Sequence, residues 1–264
     1  MSSEAMRSEG RIIVFLRHLT SFSCFFAETM KWTVVKPFQG KPLRLRSAIA
    51  QMDEVGVKSV PIVALVSFVI GVILVLQTAY QLDKFGAVNL AASLAGVALT
   101  REMAPLLTAI VLAGRVSAAF TAELGTMMVT EEITALEVMA ISPIAYLVVP
   151  RFVAMIVMLP CLTVLSDAIG MAGGFFVGTL AIGIRPGLYI HDTINALLVK
   201  DILSGLLKSG VFAAIIAMVG CYTAFAVKGG PEGVGKATMI SVVTSLISII
   251  LADCLFTAIF YMYL

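Results

Sequence analysis

Charge is scarce in this sequence. Only 13% of its 264 residues are Asp, Glu, Lys or Arg, and 60% are hydrophobic, for a mean hydropathy of +1.04. A soluble domain carries roughly a quarter charged residues, so this composition excludes one and implies an integral membrane protein. Cysteine is also sparse. Cys24, Cys161, Cys221 and Cys254 stand alone without a C-x-x-C, which leaves them as small apolar residues and not a disulfide framework or a metal site. The two histidines, His18 and His191, lie far apart, so no metal constellation is visible. No Ser/His arrangement suggests an intramembrane enzyme, and nothing points to nucleic acid. A cleavable signal is missing too: the first apolar stretch carries Arg17, His18 and Glu28, and no small-residue cleavage site follows.

What the sequence does have is long uncharged runs. Residues 59–82 carry no charge over 24 positions, enough to cross a core of about 30 Å. Residues 85–122 are interrupted only by Arg101, Glu102 and Arg115. As one straight helix they would measure about 57 Å, which predicts one span plus a shorter piece, bent near Pro105. Further spans are expected over 152–184, around Asp167, over 202–227, with Lys208 near its start, and over 237–264, with Asp253 inside. Before them, Ile12, Phe15, Leu16, Leu19, Phe22, Phe26 and Met30 make one apolar stripe, opposite Arg17, Ser21, Glu28 and Lys31. That pattern predicts an amphipathic helix lying in the interface, followed by a break at the prolines of "KPFQGKP" (36–42). The expected fold is therefore all-α: an N-terminal cytoplasmic and interfacial region over 1–58, then a five-span transmembrane domain over 59–264. Nine of the 18 Lys and Arg fall in the first 58 residues, which favours a cytoplasmic N-terminus and, after five crossings, a periplasmic C-terminus.

The stretch "GGPEGVGKAT" (229–238) contains G-x-x-x-x-G-K from Gly230, close to a nucleotide-binding P-loop. That loop needs Ser or Thr after the Lys to hold magnesium, and a buried strand before it. Here Ala237 stands in the hydroxyl position, Thr238 comes one residue late, and the preceding "VFAAIIAMVGCYTAFAVK" reads as a membrane helix. A glycine-rich turn between two spans, edged by Lys228 and Lys236, fits better. No ATP or magnesium site is therefore expected in this chain.

The segment "ELGTMMVTEEITALEVMAISP" (123–143) carries the longest run of charge after the N-terminus. Thr130 could cap a helix, with Glu131 and Glu132 at its positive end. Ile133, Leu136 and Ala140 would form its apolar stripe, and Ser142-Pro143 would stop it. Such a helix either caps the bundle or docks in a groove on a partner; spacing alone leaves both open. Charges inside membrane spans are expensive and mark functional sites or helix-holding ion pairs. Arg101, Glu102, Asp167, Lys208 and Asp253 qualify. Gly170, Gly174 and Gly178 recur every four residues, which suits close helix approach.

Several stretches taken together resemble the MlaE-type permeases of MCE-associated ABC transporters, a family that includes plastid lipid-import permeases and mycobacterial YrbE proteins. They are "TREMAPLLTAIVLAGR" (100–115), "AELGTMMVTEEITALEVM" (122–139), "PRFVAM" (150–155), "DAIGMAGG" (167–174), "LLKSGVF" (206–212) and "GPEGVGKAT" (230–238). Thr134 departs from the Asp common in the family. The resemblance implies a permease of the bacterial inner membrane that pairs with a second copy and carries no ATPase of its own. A separate cytoplasmic ABC ATPase dimer, with its ATP and magnesium, would grip a coupling helix at about 130–142. The contacts implied are Glu123, Gly125, Thr130, Glu131, Glu132, Ala135, Leu136 and Glu137. An MCE-domain protein is expected on the periplasmic side, and a phospholipid as cargo. Leu74, Gln77, Tyr80, Arg101, Glu102 and Lys208 are the expected lipid-binding residues, with Asp167 and Asp253 as buried polar groups. The rival readings are an ion-coupled secondary transporter that uses the buried acids and a non-transporting scaffold.

Overall fold

The computed structural model describes residues 20–35 and 44–263, and among these residues there is no strand. Residues 20–35 form α1, which ends in a π turn at Lys31–Val35. Five helices long and apolar enough to cross a membrane follow: α2 (Leu45–Asp83), α3 (Val88–Val129), α5 (Ile144–Leu180), α7 (Val199–Phe225) and α8 (Gly230–Tyr263). Two short helices link them, α4 (Glu132–Val138) and α6 (Pro186–Ala196). Segments apolar on all sides can be stable helices only in lipid or in a core, and a helix satisfies its own backbone groups in either.

The five expected spans are present, with several corrected boundaries. α2 starts at Leu45, well before residue 59. Its first part, Leu45–Val55, is amphipathic and joins the apolar run through a turn at Gly56 and a 3-10 segment, Val57–Ser59. α3 is not broken near Pro105. It runs on as one helix and contains two π turns, Leu99–Met103 and Ala113–Ser117. Pro105 has no N–H to give to the carbonyl four residues back, and the wider turn just ahead of it takes up that mismatch. The glycine-rich turn is also shorter than expected. Gly229 and Gly230 take positive φ of 90° and 72°, conformations natural to glycine, and the helix begins at Gly230. Residues 230–236, the would-be phosphate loop, are thus the first two turns of α8. α6 occupies a connection for which the sequence suggested no helix.

In α1 the expected stripe turns out differently. Phe22 and Phe25 pack on Tyr222 and Phe225 at ring-centroid distances of 5.3–5.8 Å, whereas Phe26 is exposed. The remainder of the proposed amphipathic helix, from Ile12 to Leu19, and the proline break at 36–42 lie outside the described residues.

The spans alternate in direction. α2 and α5 run parallel in close contact along most of their length, and α3, α7 and α8 pack beside them. One end of the bundle carries α4, α1 and the α7–α8 turn. The other carries α6 and the α2–α3 turn. The main core is built from Leu112, Phe120, Leu124, Met155, Leu159, Phe212, Ile216 and Met218, all fully or nearly fully buried. A smaller cluster around Val75, Ala92, Ala95, Ile184 and Tyr189 closes the α6 end.

Candidate functional site

Of the charged residues flagged inside the spans, Glu102, Lys208 and Asp253 come together, whereas Arg101 and Asp167 stand apart from them. Lys208 on α7 is 1% exposed, and its ammonium donates to Glu102 on α3 at 2.5 Å, to Asp253 on α8 at 2.9 Å and to the Thr257 hydroxyl at 2.8 Å. Thr257 donates in turn to the other Glu102 oxygen at 3.1 Å. Three helices therefore meet on one lysine, whose three protons all find acceptors. The site holds one cation against two carboxylates, leaving formal negative charge. Beside it a cavity of about 630 Å³ opens between α3 and α8, lined by Glu102, Met103, Leu106, Asp253, Thr257 and other small or apolar residues. Glu102 is 31% exposed and Asp253 15%, so the acids face the cavity while the lysine sits behind them.

Glu102 reaches Lys208 from the π turn Leu99–Met103. A π turn adds a residue to the helical repeat and so turns the following face; such turns often occur at functional sites. Arg101, on the same turn, points away, with its Nε 3.6 Å from Asp201 Oδ1. Asp201 also accepts the N–H of Leu198 at 3.1 Å, which caps the start of α7. The second π turn likewise presents polar groups. Ser117 shares hydrogen bonds with Ser241 at 2.6 Å and Ser245 at 3.1 Å on α8, and Arg115 bonds Ser59 on α2.

The remaining expected lipid contacts do not join this cluster. Leu74 is half-buried near Leu99 and Tyr189. Gln77 and Tyr80 are exposed on α2, and the Lys84 ammonium lies 4.9 Å from the Tyr80 ring centroid. No hydrogen bond or ion pair among the described residues links them to Glu102. Asp167 is buried in α5 with Oδ1 unpartnered, apart from the Lys208 group.

At the opposite end, the expected coupling segment is divided. Glu123 and Gly125 belong to the last turns of α3, which continues to Val129. Thr130 closes that helix and is not the N-cap of α4: its hydroxyl donates back to the Thr126 carbonyl at 3.1 Å and to Glu132 at 3.1 Å. The residue before α4 is Glu131, in the left-handed region at φ 61° with no capping hydrogen bond. Ile133 and Leu136 pack inward, as their spacing suggests, but Ala140 is exposed with φ 59°. Glu131, Glu132, Ala135 and Glu137 remain exposed. Glu123 is also exposed, and it pairs at 2.7 Å with Arg151 of α5, whose own side chain is 5% exposed and lies over the Phe120 ring. Sequence reasoning missed Arg151 and Thr257. An arginine inside "YLVVPRFVAM" was the available signal for the first; a lone threonine gave none for the second.

Comparison with known proteins gives one consistent result. The family model described as Permease MlaE matches residues 48–259. A probable ABC transporter permease protein of Rickettsia felis is 38% identical over 95% of both chains. One from Synechocystis is 40% identical over 81% of both chains. The chloroplastic protein TRIGALACTOSYLDIACYLGLYCEROL 1 of Arabidopsis thaliana is 34% identical over 86% of this chain and 65% of its own length. With five apolar spans, no nucleotide loop at Gly230–Lys236 and a match that runs through nearly all of the bundle, the chain belongs to the MlaE family of ABC transporter permeases, multi-pass membrane proteins whose ATPase is a partner subunit.

Proposed function

We propose that this permease moves a phospholipid between the bacterial inner membrane and a periplasmic MCE-domain protein, as one of two permease copies driven by a cytoplasmic ATPase dimer. The observation that carries the reading is the Lys208–Glu102–Asp253–Thr257 cluster. It is a polar site within a membrane span, and it opens on a cavity of about 630 Å³ whose other walls are largely apolar. A lipid presents the same combination, a charged head and apolar tails. The name of the Arabidopsis relative is that of a glycerolipid, which supports the same substrate class.

In this reading Glu102 and Asp253 meet the cationic end of a zwitterionic head group, such as an ammonium, while Lys208 holds them in place. The exposed apolar residues of α8, such as Ile250 and Leu255, and of α2, Leu76 and Tyr80, lie against the tails, with the half-buried Leu74 beside them. Arg101 acts through Asp201, and Gln77 contacts the lipid only near the outer end of α2. The exposed acids Glu131, just before α4, and Glu132 and Glu137, within it, fit a groove on the ATPase together with Ala135, while Leu136 seats α4 on the bundle. Glu123, Gly125 and Thr130 carry the resulting motion into α3. This orientation puts the N-terminus and α4 in the cytoplasm and the C-terminus in the periplasm. ATP-driven closure of the motor must bind two states of the bundle differently, because a ligand with equal affinity for both shifts nothing.

The test is ATP-dependent lipid transfer from reconstituted vesicles that contain the complete complex. Glu102→Ala is expected to keep the complex assembled and to lower transfer about tenfold, the order expected for a lost charge-assisted hydrogen bond. Unchanged transfer would overturn the head-group assignment. Glu131→Lys with Glu132→Lys should instead release the ATPase on co-purification. Transfer that persists without the ATPase and stops when the proton gradient is collapsed would favour a secondary transporter.

A further inference from the structure

A second cavity, of about 670 Å³, lies at the α4 end of the bundle, far from Glu102 and outside the proposed transport route. Its walls are Phe22 of α1, Val219 to Val227 at the end of α7, and Gly233 to Thr244 at the start of α8. The α7 wall spans nine residues, about 12 Å, and the α8 wall twelve, about 17 Å, which matches the depth of one membrane leaflet. Composition changes along that depth. Val219, Tyr222, Ile240 and Thr244 line the inner part, and Lys228 and Lys236 stand at the mouth. Lys236 forms an exposed pair with Glu232 at 2.7 Å. Lys228 has no carboxylate partner among the described residues. A cavity of this size is in the range of ligand sites, and basic pockets between membrane helices are the setting in which anionic lipid head groups bind.

We infer that this cavity is a binding site for an anionic phospholipid of the surrounding leaflet, with its acyl chain between α7 and α8 and its phosphate at Lys228 and Lys236. The charge gradient selects this occupant. A second copy of the chain would bring an apolar helix face, which leaves Lys228 unanswered, and a zwitterionic lipid would answer the net positive mouth only in part. The site also has a mechanical neighbour. Its wall residue Val227, and Val234 beside it on α8, lie so close to Gly125 on α3 that a Cβ there would stand 3.1 Å from Val227 and 3.4 Å from Val234. Gly125 is a single turn before the end of the helix that leads into α4. A chain filling the cavity therefore braces the α7–α8 junction against the segment that connects α3 to α4, and the lipid acts as a structural cofactor of coupling.

The experiment uses the complete complex in nanodiscs made from phosphatidylcholine with increasing fractions of phosphatidylglycerol. Bound lipid is counted by native mass spectrometry, and ATP hydrolysis is measured on the same samples. Phosphatidylglycerol should be retained over phosphatidylcholine, and hydrolysis should rise with its fraction. Lys228→Gln should weaken retention about fivefold, the worth of one lysine near an anionic head group, and Lys236→Gln added to it should weaken retention further. Ala226→Trp, which fills the mouth without touching either charge, should abolish retention while the complex stays assembled. Inorganic phosphate at millimolar concentration should not displace the lipid, since the acyl chain supplies much of the binding. Equal retention of both lipids, or retention unchanged by all three substitutions, overturns the inference. So does a loss of permease pairing without a change in bound lipid, because the cavity would then belong to a copy-to-copy interface. Lipid counting requires no transport, so the result stands apart from the fate of the Glu102 assignment.

Discussion

Two seams hold this bundle together, and they are made in opposite ways. Between α2 and α5 the helices touch backbone to backbone. A Cβ on Gly71 would collide with the Gly170 carbonyl, and one on Gly173 with the Phe68 carbonyl; the polar link is a single Ser67–Ser166 hydrogen bond at 2.6 Å. Between α3, α7 and α8 the contact is built from charges and hydroxyls: Lys208 with its two acids and Thr257, then Ser117 with Ser241 and Ser245. A dry seam between close-packed glycines has no alternative partner for either helix and so behaves as one rigid body. A polar seam can exchange its internal partners for water or a ligand's head group at much lower cost. The difference teaches where this molecule can open: α2 and α5 form the frame, and α8 is the element free to move against α3 and α7. α8 is also the least enclosed of the spans, which suits a helix whose other contacts are to lipid or a partner.

The comparison breaks most visibly at Lys208. Lys208→Met strands two carboxylates beside one another, and removal of one member of a buried ionic group costs about 3–5 kcal/mol. A large fall in the thermal midpoint of the purified permease is expected. Adding Glu102→Gln and Asp253→Asn to that variant should recover most of the stability, though not transport, because neutral groups no longer oppose one another. If the triple variant is no more stable than the single one, the cluster's role is packing and not charge. The glycine seam should respond with a smaller loss and no such rescue. Gly71→Ala forces α2 and α5 apart against backbone atoms, at about 1–3 kcal/mol, and no second substitution at Gly170 can restore the fit, since that residue has no side chain to trim. Smaller again is Ser117→Ala, which removes two hydrogen bonds between spans. Such bonds average about 0.6 kcal/mol each in membrane proteins, so a shift of a few degrees in the midpoint is expected, with α8 becoming more accessible to a membrane-embedded label and α2 unchanged.

The frame was legible in the sequence and the joints were not. Residues 59–82 are marked by a run without charge, and the other four spans by long apolar stretches broken by at most three charges, because the bilayer permits little else. Boundaries drifted wherever a helix continues beyond the membrane. Leu45–Val55 and Gly230–Lys236 carry enough polarity to read as loop, yet their helices simply run on. The π turns leave no periodic trace in segments that are apolar on every side. Lys208, Glu102 and Asp253 could each be flagged by the cost of a charge in lipid, but which acid meets which base depends on depth and rotation, which composition does not encode. Arg101 and Glu102 are adjacent in sequence and point to different partners for that reason. Thr130 misled for a local reason: Thr before two acids has the signature of an N-cap, but α3 had not yet ended, and the hydroxyl was satisfied by the turn behind it.

The loop between α3 and α5 belongs to neither seam, and a small change there separates local from global stability. Ala140 sits at φ 59°, where its Cβ crowds the following carbonyl. Ala140→Gly removes that strain, worth about 1–2 kcal/mol, but gives back about 0.5–1 kcal/mol because glycine has more freedom to lose on ordering. The net gain is about 0.5–1 kcal/mol, and it should fall on α4 alone. The Met139 N–H bonds the Ala135 carbonyl and the Ile141 N–H bonds the Leu136 carbonyl, so these amides report the opening of the α4 C-terminus directly. Their hydrogen exchange should slow about threefold, while exchange along α2 and α5 stays the same. If protection rises throughout the bundle instead, α4 and the two seams unfold as one unit, and the division into a rigid frame, a polar joint and a separate coupling loop is wrong.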